Sequence, residues 1–454
     1  MNEMRMELLR QNPWKLMFKL CIPSIIGMLV IGLYSFMDAI FVGQMIGTSA
    51  MGAVSVAYPF TLFNSGIATL VGIGSASVLS RAVGKKDTVT VNKIMGNLIV
   101  LVAILSAVVT AVGMIFTRQL LMLSGAEGEI LNLAEKYLRV IFIGSLFVNF
   151  AQSANMVMRG EGIMKKAMSF MMIGAILNIA LDPLMILSFG DNGILGAAAA
   201  TVISQITQAI ITLLYFVRKS KTIRIHKVRL ERSLLPQIFS IGFSAMLMQV
   251  MSFVQQTLLY NAASRYGGDT QIILIGAALR LQMFSFIPLW GMSQGLQPAV
   301  GTNYGAGDYE RVKKITNVFL ISSTMLAMFF WIPIELFPST FLGLFIKDTA
   351  IVSEGIGSLR LIFCIFPSLG MMIMGLTFFQ AIGSAKKASI LVLLRQIAIF
   401  IPMVLLLPRL MGISGVWMAS PITDFVVFVL TLALLIGEYR KFDTIKKKRE
   451  FATE

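Results

Sequence analysis

The sequence predicts an all-α polytopic membrane protein with twelve transmembrane helices in two parallel six-helix lobes, and three observations support this fold class. The chain has 454 residues, of which 57% are hydrophobic and only 13% are charged, whereas soluble domains carry about 25% charged residues. Its mean hydropathy is +0.82. Apolar runs of membrane-spanning length recur along the whole chain, and short motifs of the first half recur in the second.

Each of the twelve apolar runs is long enough for the roughly 20 residues that a transmembrane helix needs. Helix is the expected conformation, because an open sheet edge would leave backbone polar groups unpaired in lipid. The runs lie near residues 16–42, 51–79, 93–116, 131–158, 166–189, 193–217, 235–261, 270–298, 313–337, 350–381, 388–408 and 412–437.

Basic residues occur mainly in alternate loops, and this distribution predicts the topology. Seven of them lie between Arg218 and Arg232, and a basic cluster at 446–449 follows the last run. Because Lys and Arg accumulate in cytoplasmic loops, both termini of a multi-pass protein of the plasma membrane are predicted to be cytoplasmic. The net charge of +16 therefore indicates topology and not nucleic-acid binding. His226, the only histidine, is predicted to be a solvated residue of the basic loop.

Short motifs repeat between the two halves at an almost constant spacing. Gly84-Lys-Lys-Asp87 matches Gly305-Ala-Gly-Asp308, which lies 221 residues later. The predicted organisation is an N-terminal six-helix lobe at 1–217, a basic cytoplasmic linker at 218–234, a C-terminal six-helix lobe at 235–437 and a basic cytoplasmic tail at 438–454. Because each half has an even number of spans, the lobes are expected to be related by a pseudo-twofold axis along the membrane normal, which permits alternating access.

A carboxylate lies in the middle of the fifth run, beside a proline. Asn178 and Asp182 are four residues apart, which places them on one face of a helix. Pro183 lacks the N–H group that would close the preceding turn. A charged acid in a membrane helix costs about 2.5–3.5 kcal/mol, so such a residue faces a cavity, a partner or an ion. The segment is predicted to form a cation or proton site, with a structural hydrogen bond between helices as the alternative.

The first run contains a second mid-span acid, Asp38, and the second half has no acid at either equivalent position. At an offset of 221 residues, Asp182 corresponds to Met403 and Asn178 to Ile399. Two carboxylates from different helices of one lobe could share a proton or bind a monovalent cation. We favour H⁺ as the coupling ion because only one lobe carries the acids, and Na⁺ at Asp38, Asn178 and Asp182 stays open.

The remaining sequence gives no sign of an enzyme. It contains no metal-ligand cluster, serine triad or phosphate-binding loop, so neither catalysis nor a cofactor other than the coupling ion is expected. Gly72-Ile-Gly74 is predicted to permit close packing of helices. Asp424, in the twelfth run, is predicted to form a structural ion pair with Arg280 or Arg395.

Three longer motifs resemble those of one transporter family. They are Gln297 to Arg311, Met158 to Gly162, and Asn178 to Pro183. Over nearly its whole length the chain resembles the multidrug and toxic compound extrusion (MATE) transporters of the multidrug/oligosaccharidyl-lipid/polysaccharide exporter superfamily, in particular the branch of DNA-damage-inducible-type exporters. The resemblance implies a V-shaped pair of six-helix lobes that exports organic cations against an inward flow of H⁺ or Na⁺.

The same resemblance implies roles for individual residues. In this branch the first lobe carries the cation-coupling site, which falls here on Asp38, Asn178 and Asp182, with a hydroxyl group supplied by Thr201. The polar residues that line the substrate cavity of the branch fall on Tyr34, Tyr137, Gln152 and Asn155. A sister branch keeps acids on the seventh and tenth spans, where this chain offers Gln249 and no acid.

These features together predict a secondary active multidrug efflux antiporter that exports amphipathic, cationic organic compounds in exchange for H⁺ or Na⁺ by alternating access. The expected partners are drug-like organic cations and the lipid bilayer, and the protein is expected to be a monomer. The alternative is a lipid-linked oligosaccharide flippase of the same superfamily, for which a more basic central cavity is expected. A membrane prenyl- or acyltransferase would need Asp-rich or His-Asp motifs, and a structural or sensor protein would not need two unpaired acids in the membrane.

Overall fold

The computed structural model describes residues 2–124, 126–220, 223–225 and 227–451, and the regular secondary structure of these ranges is helical. His226, predicted above to be a solvated loop residue, lies outside them. The α-helices are α1 (Asn2–Arg10), α2 (Pro13–Phe41), α3 (Thr48–Lys85), α4 (Thr88–Leu123), α5 (Gly128–Gly160), α6 (Met164–Ser188), α7 (Gly193–Leu214), α8 (Leu235–Ala306), α9 (Tyr309–Leu336), α10 (Pro338–Gly343), α11 (Thr349–Phe363), α12 (Phe366–Ala381), α13 (Ala385–Leu393), α14 (Phe400–Met411) and α15 (Ile413–Phe451). Three π-helical turns (Val42–Ile46, Tyr215–Lys219 and Leu394–Ala398) and one 3₁₀ turn (Gly190–Asn192) adjoin them.

Within the described residues, eleven helical segments are long and apolar enough to cross a membrane. One of them, α8, is 72 residues long and kinks at Gly268, where φ is 66° and ψ is −161°. Only glycine adopts this conformation without strain, so Gly268 divides α8 into two successive spans. The predicted all-α fold with twelve spans is thereby confirmed.

Two of the predicted spans are interrupted in the structure. The run predicted at 350–381 consists of α11 and α12, separated by two residues that precede Pro367. Proline is accommodated in the first turn of a helix but interrupts a helix that precedes it. The run predicted at 388–408 consists of α13 and α14, joined by the π-helical turn Leu394–Ala398.

By its internal packing the chain divides into two compact units. Unit 1 comprises Met1–Met6 and Ile26–Val250, and unit 2 comprises Glu7–Ile25 and Met251–Glu454. Helices α2 and α8 therefore each contribute residues to both units.

Unit 1 is organised around α3 and α5, which pack closely against each other. A Cβ atom added to Gly72 on α3 would lie 2.9 Å from the Cα atom of Ser153 on α5. A larger residue therefore could not replace this glycine without separating the helices, and the predicted role of the Gly72 segment in close packing is confirmed. The apolar side chains around this contact include Leu79, Ile94, Leu98, Val157, Phe216 and Ile238.

In unit 2, α9 packs on α12, and α14 packs on α15. Aromatic rings join these helices, as in the stacked pair of Tyr309 and Phe442 with ring centroids 4.9 Å apart. The segment before the first span also belongs to this unit, because the Asn303 side-chain amide donates a hydrogen bond of 3.0 Å to the carbonyl oxygen of Leu8. Buried polar contacts of this kind fix the position of a helix along its neighbour.

The repeated motif of the sequence forms the same turn in both units. Asp87 caps α4 by accepting a hydrogen bond of 3.0 Å from the Thr90 N–H group. Asp308 caps α9 through an identical bond of 3.0 Å. The residue before each aspartate is left-handed, with φ of 60° at Lys86 and 79° at Gly307. Aspartate is a favoured N-cap because its short side chain reaches the unpaired N–H groups of the first turn.

Candidate functional site

The four residues predicted to form the cation-coupling site come from three helices of unit 1. Asp38 lies on α2, Asn178 and Asp182 lie one turn apart on α6, and Thr201 lies on α7. Asp182 is fully buried and Asn178 is 2% exposed, while Asp38 and Thr201 are half-buried. The helical spacing on α6 directs both of its polar side chains to the same neighbours.

Asn178 is at the centre of this group. Its side-chain Nδ2 donates a hydrogen bond of 3.0 Å to Asp182 Oδ1 and lies 3.4 Å from the Thr201 hydroxyl oxygen. The carboxyl groups of Asp38 and Asp182 lie within hydrogen-bonding reach of each other. A hydrogen bond between two carboxyl groups requires a proton on one of them.

Three buried oxygen atoms of this group accept no hydrogen bond from the described residues. They are Asp38 Oδ1, Asp182 Oδ2 and Asn178 Oδ1. Leaving buried acceptors unpaired costs free energy, and such groups are resolved by water, a proton or a bound cation. The unpaired side-chain atoms of these three residues are thus all acceptors. Among the described residues no three His, Cys, Asp or Glu side chains come together as metal ligands, so a cation here would be held by two carboxylates, an amide and a hydroxyl.

Two tyrosines adjoin the acids. The Tyr34 hydroxyl of α2 is within hydrogen-bonding reach of Thr201. Tyr137 of α5 lies near Asp38 and Tyr34, and it is 7% exposed. The predicted cation residues and both tyrosines therefore form one connected group.

The other two residues predicted to line the substrate cavity form hydrogen bonds with other partners. Asn155 is fully buried, and its Nδ2 donates a hydrogen bond of 2.6 Å to the backbone carbonyl of Ala167, which ties α5 to α6. Gln152 accepts a hydrogen bond of 3.0 Å from the Ser65 hydroxyl. Asn155 is thus engaged with backbone, whereas Gln152 belongs to a second polar cluster.

That second cluster includes residues that sequence reasoning did not single out. The Ser65 hydroxyl also accepts a hydrogen bond of 3.1 Å from the side-chain nitrogen of Gln249. The side-chain oxygen of Gln249 in turn accepts a hydrogen bond of 2.7 Å from the Thr69 hydroxyl. This second polar cluster therefore connects α3, α5 and the first part of α8 within unit 1. Two of its members, Ser65 and Thr69, are four residues apart on α3. This spacing was the only available signal, and it is common in membrane helices.

In unit 2 the acid Asp424 is paired. Its Oδ1 atom lies 2.8 Å from Nε of Arg395, which selects Arg395 over Arg280 of the two predicted partners. Neither Asp38 nor Asp182 of unit 1 takes part in an ion pair with any described residue.

Twelve membrane-spanning helices and two neighbouring carboxyl groups with unpaired oxygen atoms are typical of a polytopic membrane transporter. The family is established by sequence. The chain belongs to the MATE family of transporters, since the family model described as MatE matches residues 23–184 and 241–407. The two matched segments lie one in each half, in agreement with the internal repeat.

Similar proteins are known by sequence and by structure. The multidrug export protein MepA of Staphylococcus saprophyticus is 28% identical over 411 residues, which is 90% of this chain and 90% of that protein. MepA of Staphylococcus aureus strain N315 is 28% identical over 409 residues, or 89% of each chain. A solved outward-facing multidrug resistance MATE transporter of the MOP superfamily superimposes with a TM-score of 0.89 at 26% identity, covering 96% of this chain and 98% of its own. A MOP superfamily transporter from Pyrococcus furiosus gives the same values.

Proposed function

We propose that this protein is a secondary active multidrug efflux antiporter, which exports amphipathic cationic organic compounds in exchange for H⁺. Membership of the MATE family, whose relatives include the multidrug export protein MepA, supports export of drugs. The choice of a cation-coupled mechanism is supported by one observation above all. Three buried oxygens of Asp38, Asn178 and Asp182 accept no hydrogen bond from the described residues, and a positive ligand would satisfy them.

H⁺ is favoured over Na⁺ by the separation of the two carboxyl groups. Asp38 and Asp182 lie within hydrogen-bonding reach, and two charged carboxylates at such a distance repel each other strongly unless a proton is shared. Na⁺ would instead need the oxygens of Asp38, Asn178, Asp182 and Thr201 to turn towards one point. A proton shared between the two carboxyl groups is compatible with this close approach, and this supports H⁺ as the coupling ion.

The cargo is proposed to bind next to the coupling acids. Tyr34 and Tyr137 lie beside Asp38, and an organic cation is attracted both to a carboxylate and to the face of an aromatic ring. Proton and cargo then compete for the same negative charge. Protonation of the pair from outside lowers the affinity for the drug, which is released there, and loss of the proton inside restores the affinity. The coupling cannot exceed the difference in affinity of the proton for the two states.

Gln152 and Asn155 are proposed to line the substrate cavity on the basis of the family resemblance alone. For Gln152 the proposal is supported by its exchangeable partners, since a ligand with a polar group can replace the Ser65 hydroxyl. Asn155 contacts backbone through its amide nitrogen but leaves Oδ1 without a partner. The topology proposed for this function has both termini in the cytoplasm and a monomer as the functional form.

Drug efflux from proteoliposomes, with pH and sodium gradients imposed separately, tests this function. An inward proton gradient alone should drive efflux of a fluorescent organic cation, and a sodium gradient alone should not. Undiminished efflux after collapse of the pH gradient, with a sodium gradient maintained, would reverse the choice of ion. Transport of a lipid-linked oligosaccharide in place of the cation would favour the flippase alternative.

A further inference from the structure

Unit 2 contains an ion pair in the interior of its membrane spans. Arg395 Nε lies 2.8 Å from Asp424 Oδ1, and Asp424 is only 6% exposed. Both residues lie well inside apolar segments, Ala385–Met411 and Ile413–Lys446. Charged side chains at such depth are costly, and they mark functional sites more often than ordinary packing.

The backbone around Arg395 also departs from regular α-helical geometry. Leu394–Ala398 is a π-helical turn, in which one extra residue is accommodated and a carbonyl is released from the α-helical bonding pattern. The Gln255 side chain of α8 donates a hydrogen bond of 3.3 Å to the carbonyl oxygen of Arg395. The extra residue, the arginine and the acid therefore meet where α8, α15 and this turn come together.

The position of this group in the repeat is informative. At the 221-residue offset, Gln255 corresponds to Tyr34 on α2. In the last spans the offset is 219 residues, because Gly193-Ile-Leu-Gly196 matches Gly412-Ile-Ser-Gly415, so Ser420 corresponds to Thr201. Asp424 lies one helical turn after Ser420, on the same face of α15. The polar group of unit 2 thus uses the helices that correspond to α2, α6 and α7 of the acid site.

The two units differ at one informative position. Arg395 corresponds to Gly174, one turn before Asn178 on α6. Gly174 has no side chain, so no cation is supplied from this position to the acids of unit 1. In unit 2 the equivalent position supplies a guanidinium group, which is permanently charged.

We propose that unit 2 holds a second cation site, built around Asp424, in which the guanidinium group of Arg395 is the resident cation. Removal of this side chain opens Asp424 to small monovalent cations such as guanidinium or Na⁺. The ion pair and its geometry do not depend on the proposed antiport function, and only the comparison with the acids of unit 1 rests on it. A tethered cation cannot leave, so unit 2 does not respond to the coupling ion.

The test measures the melting temperature of the purified protein at one constant pH. The background is Asp38→Asn/Asp182→Asn, which removes the cation response of unit 1. In this background Arg395→Ala is compared with Arg395→Ala/Asp424→Asn, while guanidinium or sodium chloride is titrated against choline chloride at equal ionic strength. Guanidinium should raise the melting temperature of the single Arg395 variant by about 2–5 °C at saturation, and it should leave that of the Asp424→Asn variant unchanged.

Arg395→Lys is the matched control, because it keeps a tethered positive charge and should show no gain in cation response. Equal responses with and without Asp424, or no response in either, would overturn the proposal. If Arg395→Ala gives folded protein only together with Asp424→Asn, Arg395→Gln is titrated in its place, since its amide can donate to Asp424. These outcomes do not involve transport, so they are independent of whether the protein is an antiporter.

Discussion

Replacement of Asp182 by asparagine separates the shape of the acid site from its charge. Asp182 is fully buried, and its Oδ1 accepts a hydrogen bond of 3.0 Å from Asn178. The carbonyl oxygen of an asparagine can accept the same bond. A typical hydrogen bond contributes about 0.5–1.5 kcal/mol net, so its retention should limit the loss of unfolding free energy to less than this. The titratable group is lost completely.

The effect on transport should be much larger than the effect on stability. With one proton exchanged per drug molecule, a tenfold proton gradient supplies about 1.4 kcal/mol, which can sustain about a tenfold drug gradient. If Asp182 holds the exchanged proton, Asp182→Asn should reduce this ratio to unity in proteoliposomes. The melting temperature of the purified variant should change by a few degrees at most.

Asp38→Asn and the double variant complete this experiment. The two carboxyl groups are proposed to share one proton, so either single change should abolish coupling and the double change should add nothing further. Asp424→Asn is the control from unit 2, and it should lower stability more than transport because it leaves the Arg395 charge without its partner. Normal gradient-driven efflux by Asp182→Asn, or loss of efflux confined to Asp424→Asn, would refute the assignment of the coupling site to unit 1.

Four further substitutions test the topology and the two capped turns. A single cysteine at Val228, introduced after both native cysteines are replaced, should react with impermeant reagents only from the cytoplasmic side, and reaction from outside in intact cells would reverse the orientation. Lys86→Gly should raise the unfolding free energy by about 1 kcal/mol, because Lys86 has φ of 60° and a left-handed conformation costs about 1–2 kcal/mol without glycine. Gly307→Lys should lower it comparably, and a loss of stability in Lys86→Gly or a gain in Gly307→Lys, measured by calorimetry, would contradict the argument. Hydrogen bonds from Thr90 hold the pKa of Asp87 below its usual range, so its stabilisation is present above the unfolded pKa and is lost as pH falls through the folded pKa. Asp87→Ala should therefore cost about 0.5–2 kcal/mol at neutral pH, and a cost that does not shrink in acid would exclude the charged cap as its source.

The spans could be predicted from the sequence because a segment that crosses the lipid bilayer must be apolar over its whole length. Their ends could not be predicted well, since a helix does not stop where its apolar residues stop. The run predicted at 93–116 forms α4 from Thr88 to Leu123, which continues into polar residues at both ends. Its start is set by the cap residue Asp87, which a hydropathy window does not detect.

The acid site could be proposed from the sequence for a related reason. Asp38 and Asp182 are rare charges in apolar runs, and the cost of burying them makes each one informative even without a structure. The partners of a neutral polar residue are not determined in this way. Nothing in the sequence distinguishes Gln152, which contacts Ser65, from a polar residue that faces the acids. The residues of such a contact can lie far apart in the sequence, as Ser65 and Gln249 do.

The pairing of Asp424 lies between these cases. Its charge predicts a partner, but two arginines were available, and the one that pairs, Arg395, lies in a π-helical turn that no hydropathy pattern reveals. That turn matters because it places a permanent cation where the repeat leaves Gly174 in unit 1. An ion can act on a protein only through sites whose occupancy changes. If both proposals hold, the acids of unit 1 can bind a proton, whereas Asp424 of unit 2 is neutralised by its own arginine. Transport is then coupled to a single proton-binding group, although the two halves share the same pattern of helices.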